Sequence, residues 1–191
     1  MKEVVLQDER VRIRPITMED TDKIIEWRNS DEVRLNFVFQ ELFTKESHEN
    51  WLKTQVFPGH AAQFIIEEVE TGKAVGSCFL RDIDYKHEKA EYGHFLGAER
   101  GKGYGTAAGK LMLKYAFEIL KLHKICGRVF ADNEAAIRSD AKIGFEYEGL
   151  LRDDVKINGI YRDMIFVSIV NGRSEPEKRV DRVCLPIRAT Q

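Results

Sequence analysis

Cysteine is scarce in this chain. There are three, Cys78, Cys126 and Cys184. They are odd in number and far apart, which gives neither a disulfide framework nor a metal knuckle and suits a reducing cytoplasm. No apolar run approaches the roughly 20 residues that a membrane helix needs. The opening MKEVVLQDERVRIRP is too charged to read as a secretion signal. Neither sign of charge dominates: 30 Lys and Arg against 32 Asp and Glu leave a net charge of −2. No global field therefore draws the protein to nucleic acid or to an anionic membrane, and any anion site has to be local. The histidines, His48, His60, His87, His94 and His123, lack paired ligand spacing, so no metal is expected. What is present is an ordinary profile for a domain with a core: 43% hydrophobic and 32% charged over 191 residues.

The elements follow from pattern. Val11 to Arg14 alternates as a short strand before Pro15. Thr17, with Asp20 three residues on, resembles a capping box and opens a helix to about Arg28. Thr44 caps a second helix over KESHENWLKTQV, after an aromatic, irregular stretch SDEVRLNFVFQELF. AQFIIEEVETGKAVGSCFLRDI reads as a hairpin about Thr71-Gly72, and AEYGHFL as a further strand. Apolar residues at Ala108, Leu111, Met112, Tyr115, Ala116, Ile119 and Leu120 give one buried helical face. KICGRVFAD is a buried strand, NEAAIRSDAKIGF a short helix ended by Gly144, and Asn158-Gly159 the turn of a last hairpin. The expected fold is α/β: a mixed, mostly antiparallel sheet with flanking helices and one strand–loop–helix–strand crossover. Residues 1–170 form a single domain and 171–191 a charged tail.

The loop of the crossover, GAERGKGYGTAA, holds Gly97, Gly101, Gly103 and Gly105 just before a helix. Glycine lets the backbone approach a ligand, and a helix N-terminus offers free N–H groups and a favourable dipole to a phosphate. Arg100 and Lys102 add charge. The Walker motif fails on spacing, and Gly103 stands where Ser or Thr should follow the lysine. Gly103, Gly105 and Ala108 satisfy the dinucleotide motif, but GAER and GK separate them from their strand, and too little chain follows for that fold. Arg100, Gly103 and Gly105 match R/Q-x-x-G-x-G/A, the pyrophosphate loop of coenzyme A-dependent N-acetyltransferases.

With that loop between VRIRPITMEDTDKIIEWRN, TGKAVGSCFLRDID and DNEAAIRSDAKIGFEYEGLLRD…NGIYRDM, the chain resembles the GNAT superfamily of acetyltransferases over about residues 9 to 171. The resembling subgroup holds ribosomal-protein, spermidine and UDP-amino-sugar N-acetyltransferases. WRNSDEVR, TKESHENWLK and LRDIDYKHEKAEYG look most like the amino-sugar enzymes of pseudaminic acid synthesis. The resemblance implies acetyl-CoA as donor, direct transfer to a primary amine in a ternary complex, and no metal. The acceptor would be a small molecule, best matched by an amino-sugar nucleotide, or a polyamine or protein N-terminus. A homodimer is compatible with it. A non-catalytic acyl-CoA binder is the alternative of another class.

The resemblance also implies roles. The strands around the cofactor would splay near Phe95, Leu96 and Gly97, whose backbone would hold the pantetheine and thioester. Arg100, Gly101, Lys102, Gly103, Tyr104, Gly105 and Thr106 would hold the pyrophosphate, with Lys142 nearby. Asn133 would bond the pantetheine arm, or serve as an N-cap, or do both. An amine must lose a proton before it attacks. Glu91, on the strand beside the cofactor, is the first candidate base, set against a reading as a surface carboxylate paired with Lys89 or Lys86. His94 is the second, although three residues along a strand it faces the other side. The acid is a departure from the family. Tyrosine is absent five residues before Phe145, where Asp140 stands beside Ser139, and the serine of some relatives is Ala136 here. Ser139, Asp140 with a pKa raised by burial, or water would serve, with Tyr147 and Tyr161 more remote. Arg28, Arg34 and His48 suit an acceptor's pyrophosphate, while Trp27 and Trp51 would stack on a base or fill the core. A polyamine would instead want Glu41, Glu46, Asp82 and Asp84.

Overall fold

The computed structural model describes residues 4–172. Cys184 and all but the first two residues of the expected tail lie outside the described residues. Eight strands form one sheet: β1 (Leu6–Gln7), β2 (Val11–Pro15), β3 (Ala62–Glu68), β4 (Ala74–Asp84), β5 (Lys89–Leu96), β6 (Lys124–Phe130), β7 (Glu146–Ile157) and β8 (Ile160–Val170). Their order in space is β1-β2-β3-β4-β5-β6-β8-β7. Every neighbouring pair is antiparallel except β5 and β6. The expected mixed sheet is therefore present, with β1 as a short edge that the sequence pattern missed.

Local chemistry explains the elements. β3, AQFIIEE, is buried along its whole length, as suits a central strand covered on both faces. Asn158 and Gly159 both take positive φ, 51° and 84°, the backbone of a tight two-residue hairpin. Thr17 and Asp20 form a capping box over a 3₁₀ turn that leads into α1 (Thr21–Asn29). A short helix, α2 (Asp31–Arg34), follows, and Thr44 caps α3 (Lys45–Trp51) with its hydroxyl on the Ser47 N–H. α4 (Tyr104–Lys114) fills the crossover between β5 and β6, and α5 (Glu134–Ile143) ends on Gly144 at φ 116°.

The sheet has a core on each face. On one side α4 sets Ala107, Ala108, Leu111 and Met112 against Val11, Ile13, Phe64 and Leu80. Ala108, Met112, Tyr115 and Ala116 are buried as the helical pattern predicts, but Ile119 is 43% exposed. The reason is a π turn over Tyr115–Ile119, whose wider spacing shifts the phase and turns the last residues outward. On the other side α1 and the π turn after α3 set Ile24, Trp27 and Leu52 against Ile65 and Phe95. Trp27 packs edge-on to Phe95, with ring centroids 6.4 Å apart, and lies directly under Gly97. A methyl at Gly97 would come within 2.1 Å of the indole, so glycine is required where the chain leaves β5.

Gly97→Ala should therefore cost about 1–3 kcal/mol of folding stability through overpacking. Chemical denaturation would measure it, and a neutral result would contradict the seating of Trp27 under the β5 corner.

Candidate active site

β5 and β6 pair only at Lys89–Lys124, Ala90–Ile125 and Glu91–Cys126. Beyond that rung they diverge, each still tied to its outer neighbour. A cleft of about 900 Å³ opens between them. The splay thus begins at Tyr92, earlier than the Phe95 expected from sequence. The Gly97 N–H bonds the Val75 carbonyl. By the alternation of antiparallel pairs, Leu96 and His94 then turn their backbone groups toward the cleft. The Leu96 carbonyl there accepts from Nε and Nη2 of Arg100, both at 3.2 Å.

The glycine loop closes one end. Gly101 and Gly103 have φ of 84° and 79°, and Gly103 is the N-cap of α4. Arg100, Gly101, Gly103, Gly105 and Thr106 line the cleft together with Phe95, Leu96, Asn133 and Lys142. Gly97, Lys102 and Tyr104 do not. Lys102 ion-pairs with Glu99 at 2.8 Å and Glu68 at 3.7 Å, and the Tyr104 hydroxyl donates to the Glu68 carboxylate. These two side chains face away, which leaves Arg100 and Lys142 as the expected charges that line the cleft, with Arg138 lining it too and Arg10 Nη1 3.0 Å from where a Cβ at Gly103 would lie. Gly105 has its own reason: a Cβ there would lie 2.8 Å from His94 Nε2.

Asn133 makes its N-cap bond, accepting from Ala136 N–H at 3.1 Å, while its Nδ2 donates to Asn36 Oδ1 at 3.0 Å. Arg100 Nη1 likewise reaches Glu32 at 3.2 Å. Both contacts join the donor side of the cleft to α2 and the segment that follows it.

Glu91 lines the cleft on the face of α1 and α3, but its oxygens are occupied. Arg81 Nη2 is 2.5 Å from Oε1 and Arg128 Nη2 is 3.2 Å from Oε2. The partners are these arginines, not Lys89 or Lys86, and the two guanidinium donors engage both carboxylate oxygens. Sequence reasoning missed both. Arg81 stands directly opposite Glu91 across the β4–β5 ladder, a signal visible only once register is known.

His94 is on the opposite face, toward α4. Its ring stacks on Tyr92 with centroids 5.6 Å apart, and desolvation lowers its pKa to about 4, so it is neutral at pH 7. The Tyr92 hydroxyl is buried in the same wall without a hydrogen-bond partner. α5 contributes Ser139, whose Oγ lies 3.3 Å from Thr106 Oγ1, and Asp140, whose carboxyl is pushed up to about 7 by desolvation. Tyr147 and Tyr161 are exposed on the β7–β8 hairpin and do not line the cleft.

Of the expected acceptor residues, Arg28 and His48 line the cleft, as does Trp51, whose indole N–H bonds Gln63 Oε1 at 3.1 Å. Trp27 and Arg34 do not. Trp27 is core, and Arg34 binds Asp31 at 2.5 Å and the Gln40 carbonyl at 3.2 Å. The irregular segment after α2 supplies Phe37, Phe39 and Phe43 instead, as a roof over this half of the cleft. Among the described residues no group of three metal-binding side chains gathers, and no helix is long and apolar enough to cross a membrane.

The profile of the Acetyltransferase (GNAT) domain matches residues 10–146. The spermidine N(1)-acetyltransferase of Escherichia coli (strain K12) is 31% identical, over 83% of this chain and 85% of that protein. YdaF of Bacillus subtilis (strain 168), whose name assigns it provisionally to ribosomal N-acetylation, is 28% identical over 90% of this chain and 97% of that protein. The crystal structure of spermidine N-acetyltransferase from Vibrio cholerae with CoA and spermine superposes with a TM-score of 0.79 at 25% identity, over 85% of this chain and 96% of that one.

Asp140 supplies a test of the wall. Its folded pKa of about 7 stands above the ordinary 3.8, so the unfolded chain releases that proton first. The native state therefore loses stability as pH rises from about 4 to about 7, and no further above that. Asp140→Asn should raise the melting temperature over wild type by an amount that grows across this window and then levels. A difference independent of pH would show that the carboxyl is not held neutral.

Proposed function

Since the chain belongs to the GNAT acetyltransferase family and is an acetyl-CoA-dependent N-acetyltransferase, we propose that it transfers the acetyl group directly to a primary amine across the β5–β6 cleft. The observation that carries the reading is the parting of these strands after three rungs, with the glycine loop at one end and the aromatic roof at the other. Family membership sets aside the dinucleotide oxidoreductase.

Donor binding follows from the backbone. The N–H groups of Gly101 to Thr106, including those of Lys102 and Tyr104, face the pyrophosphate, with Arg100 and Lys142 beside it. Residues Tyr92 to Leu96 hold the pantetheine and thioester along the free edge of β5. The Leu96 and His94 N–H groups are donors for the carbonyl oxygen as it gains charge. Asn133, already the cap of α5, offers its Nδ2 to the arm once it leaves Asn36.

The amine enters from the α1–α3 side. Its nitrogen attacks the thioester carbon, a C–N bond forms, and the C–S bond breaks as the tetrahedral intermediate collapses. Asp140, protonated near neutral pH, gives its proton to the departing thiolate, with Ser139 beside it as the second candidate. The nitrogen's surplus proton leaves to water. Glu91, held by Arg81 and Arg128, orients the ammonium and that water, and His94 remains a neutral wall. The named relatives work on spermidine or are assigned to ribosomal acetylation, which points away from the amino-sugar nucleotide expected from sequence. The chemistry proposed is amine acetylation, on a small molecule or a protein N-terminus.

Release of free thiol from acetyl-CoA, followed across polyamines, amino acids, amino sugars with their phosphates and nucleotides, and N-terminal peptides, tests the reading. Turnover is expected with at least one class, and thiol release from none would overturn it. With the accepted amine, Asp140→Asn should lower kcat by about 10²-fold or more and remove the fall in rate above about pH 7. An unchanged alkaline limb would remove Asp140 from the role.

A further inference from the structure

The acceptor half of the cleft carries a buried cation without a counter-ion. Arg28 is 6% exposed, and among the described residues it forms no ion pair. Its guanidinium sits among aromatic rings, with Cζ 3.8 Å, 4.7 Å and 5.9 Å from the centroids of Phe37, Phe43 and Phe95. A guanidinium's N–H groups lie in its plane, so its hydrogen bonds form along its edge. On that edge Nη2 has one long bond, 3.3 Å to the Phe39 carbonyl, and Nη1 has none. Desolvation, with no carboxylate opposing it, lowers the Arg28 pKa to about 10. Stacking on aromatic faces offsets part of the cost of burying such a charge, but not the loss of its in-plane partners.

Two independent features agree. His48, 2% exposed, holds Thr21 Oγ1 through Nδ1 at 3.1 Å and leaves Nε2 without a partner in the same cleft. The acidic residues that a polycation would need are elsewhere or engaged. Glu41, Glu46, Asp82 and Asp84 do not line the cleft. Glu32 pairs with Arg100, and Glu91 with Arg81 and Arg128. Arg81 and Arg128 share Glu91 and reach Asp82 at 3.9 Å and Asp154 at 4.0 Å besides, so among the described arginines of the acceptor side Arg28 is the one without a carboxylate.

From this we infer that the acceptor is an amine that also carries an anionic oxygen group, a carboxylate or a phosphate, received by the free edge of the Arg28 guanidinium. The fork of Nη1 and Nη2 suits two oxygens of one anion. Burial among the rings strengthens that pairing relative to one at the surface. The anion supplies the counter-charge that the fold omits, and a polyamine would bring a second cation to a site that already has one in excess. The inference rests on the acetyl-transfer reading and narrows it.

Matched amines test it: glycine against glycinamide, glucosamine 6-phosphate against glucosamine, and spermidine. Wild-type enzyme should favour the anionic member of at least one pair by about tenfold or more in kcat/KM, about 1.4 kcal/mol. The pair that responds distinguishes carboxylate from phosphate. Arg28→Met should erase that ratio and Arg28→Lys should restore part of it. Preference for spermidine or for the neutral members overturns the inference and leaves acetyl transfer standing. Thiol release from no amine overturns acetyl transfer instead. Arg28 is then judged by thermal shift at saturating CoA, which keeps the glycine loop filled. Glycine or inorganic phosphate should raise the melting temperature and spermidine should not, and the opposite pattern, or no shift with either anion, overturns the inference. Should Arg28→Met fail to fold, the wild-type ratio and Arg28→Lys still decide.

Discussion

The parallel contact between β5 and β6 is the constraint on which the rest depends. It lasts for three rungs and then ends, although both strands continue. Each keeps a full ladder on its outer side, β5 with β4 and β6 with β8, so neither frays. The inner backbone groups are left without strand partners, which a protein tolerates only where water or a ligand can satisfy them. Glu91 sits at the last rung and binds Arg81 on β4 and Arg128 on β6. An ion pair across the fork fixes where separation starts.

Charge is divided along the cleft in the same economical way. The glycine loop retains its backbone donors while Lys102 is drawn off by Glu99 and Glu68. The wall toward α4 is kept neutral: His94 is pushed below the pH at which it would charge, and Asp140 is pushed up toward neutrality. Both shifts come from desolvation, so one low-dielectric wall yields an imidazole that does not protonate and a carboxyl that does. On the acceptor side Arg28 is left without a carboxylate among the described residues, and Arg28 Nη1 and Arg81 Nε are buried without a hydrogen bond.

Much of this was legible in the sequence because it is local. Capping residues, the Asn158-Gly159 turn, the Gly144 helix end and the loop glycines each declare a backbone conformation within a few residues, and each is found in the fold. Periodicity located α4 but could not reveal the π turn that rotates Ile119 outward. What escaped depends on contacts distant in sequence. Arg128 reaches Glu91 across 37 residues, and the roof phenylalanines meet Arg28 only because α1 and the segment after α2 fold over one another. Trp27 and Arg34 looked like binding residues by type; packing under Gly97 and bonding to Asp31 and Gln40 place them in supporting positions.

The two bridges across the cleft mouth, Arg100 to Glu32 and Asn133 to Asn36, join the side groups proposed to hold the donor to the segment that roofs the acceptor. In the proposed complex the cofactor competes for both, so its arrival exchanges partners instead of filling idle ones. Glu32 and Asn36 are then released together, while the roof keeps its bonds to Asn29 and Arg34. By reciprocity, whatever holds the two bridges closed weakens the donor by the same factor.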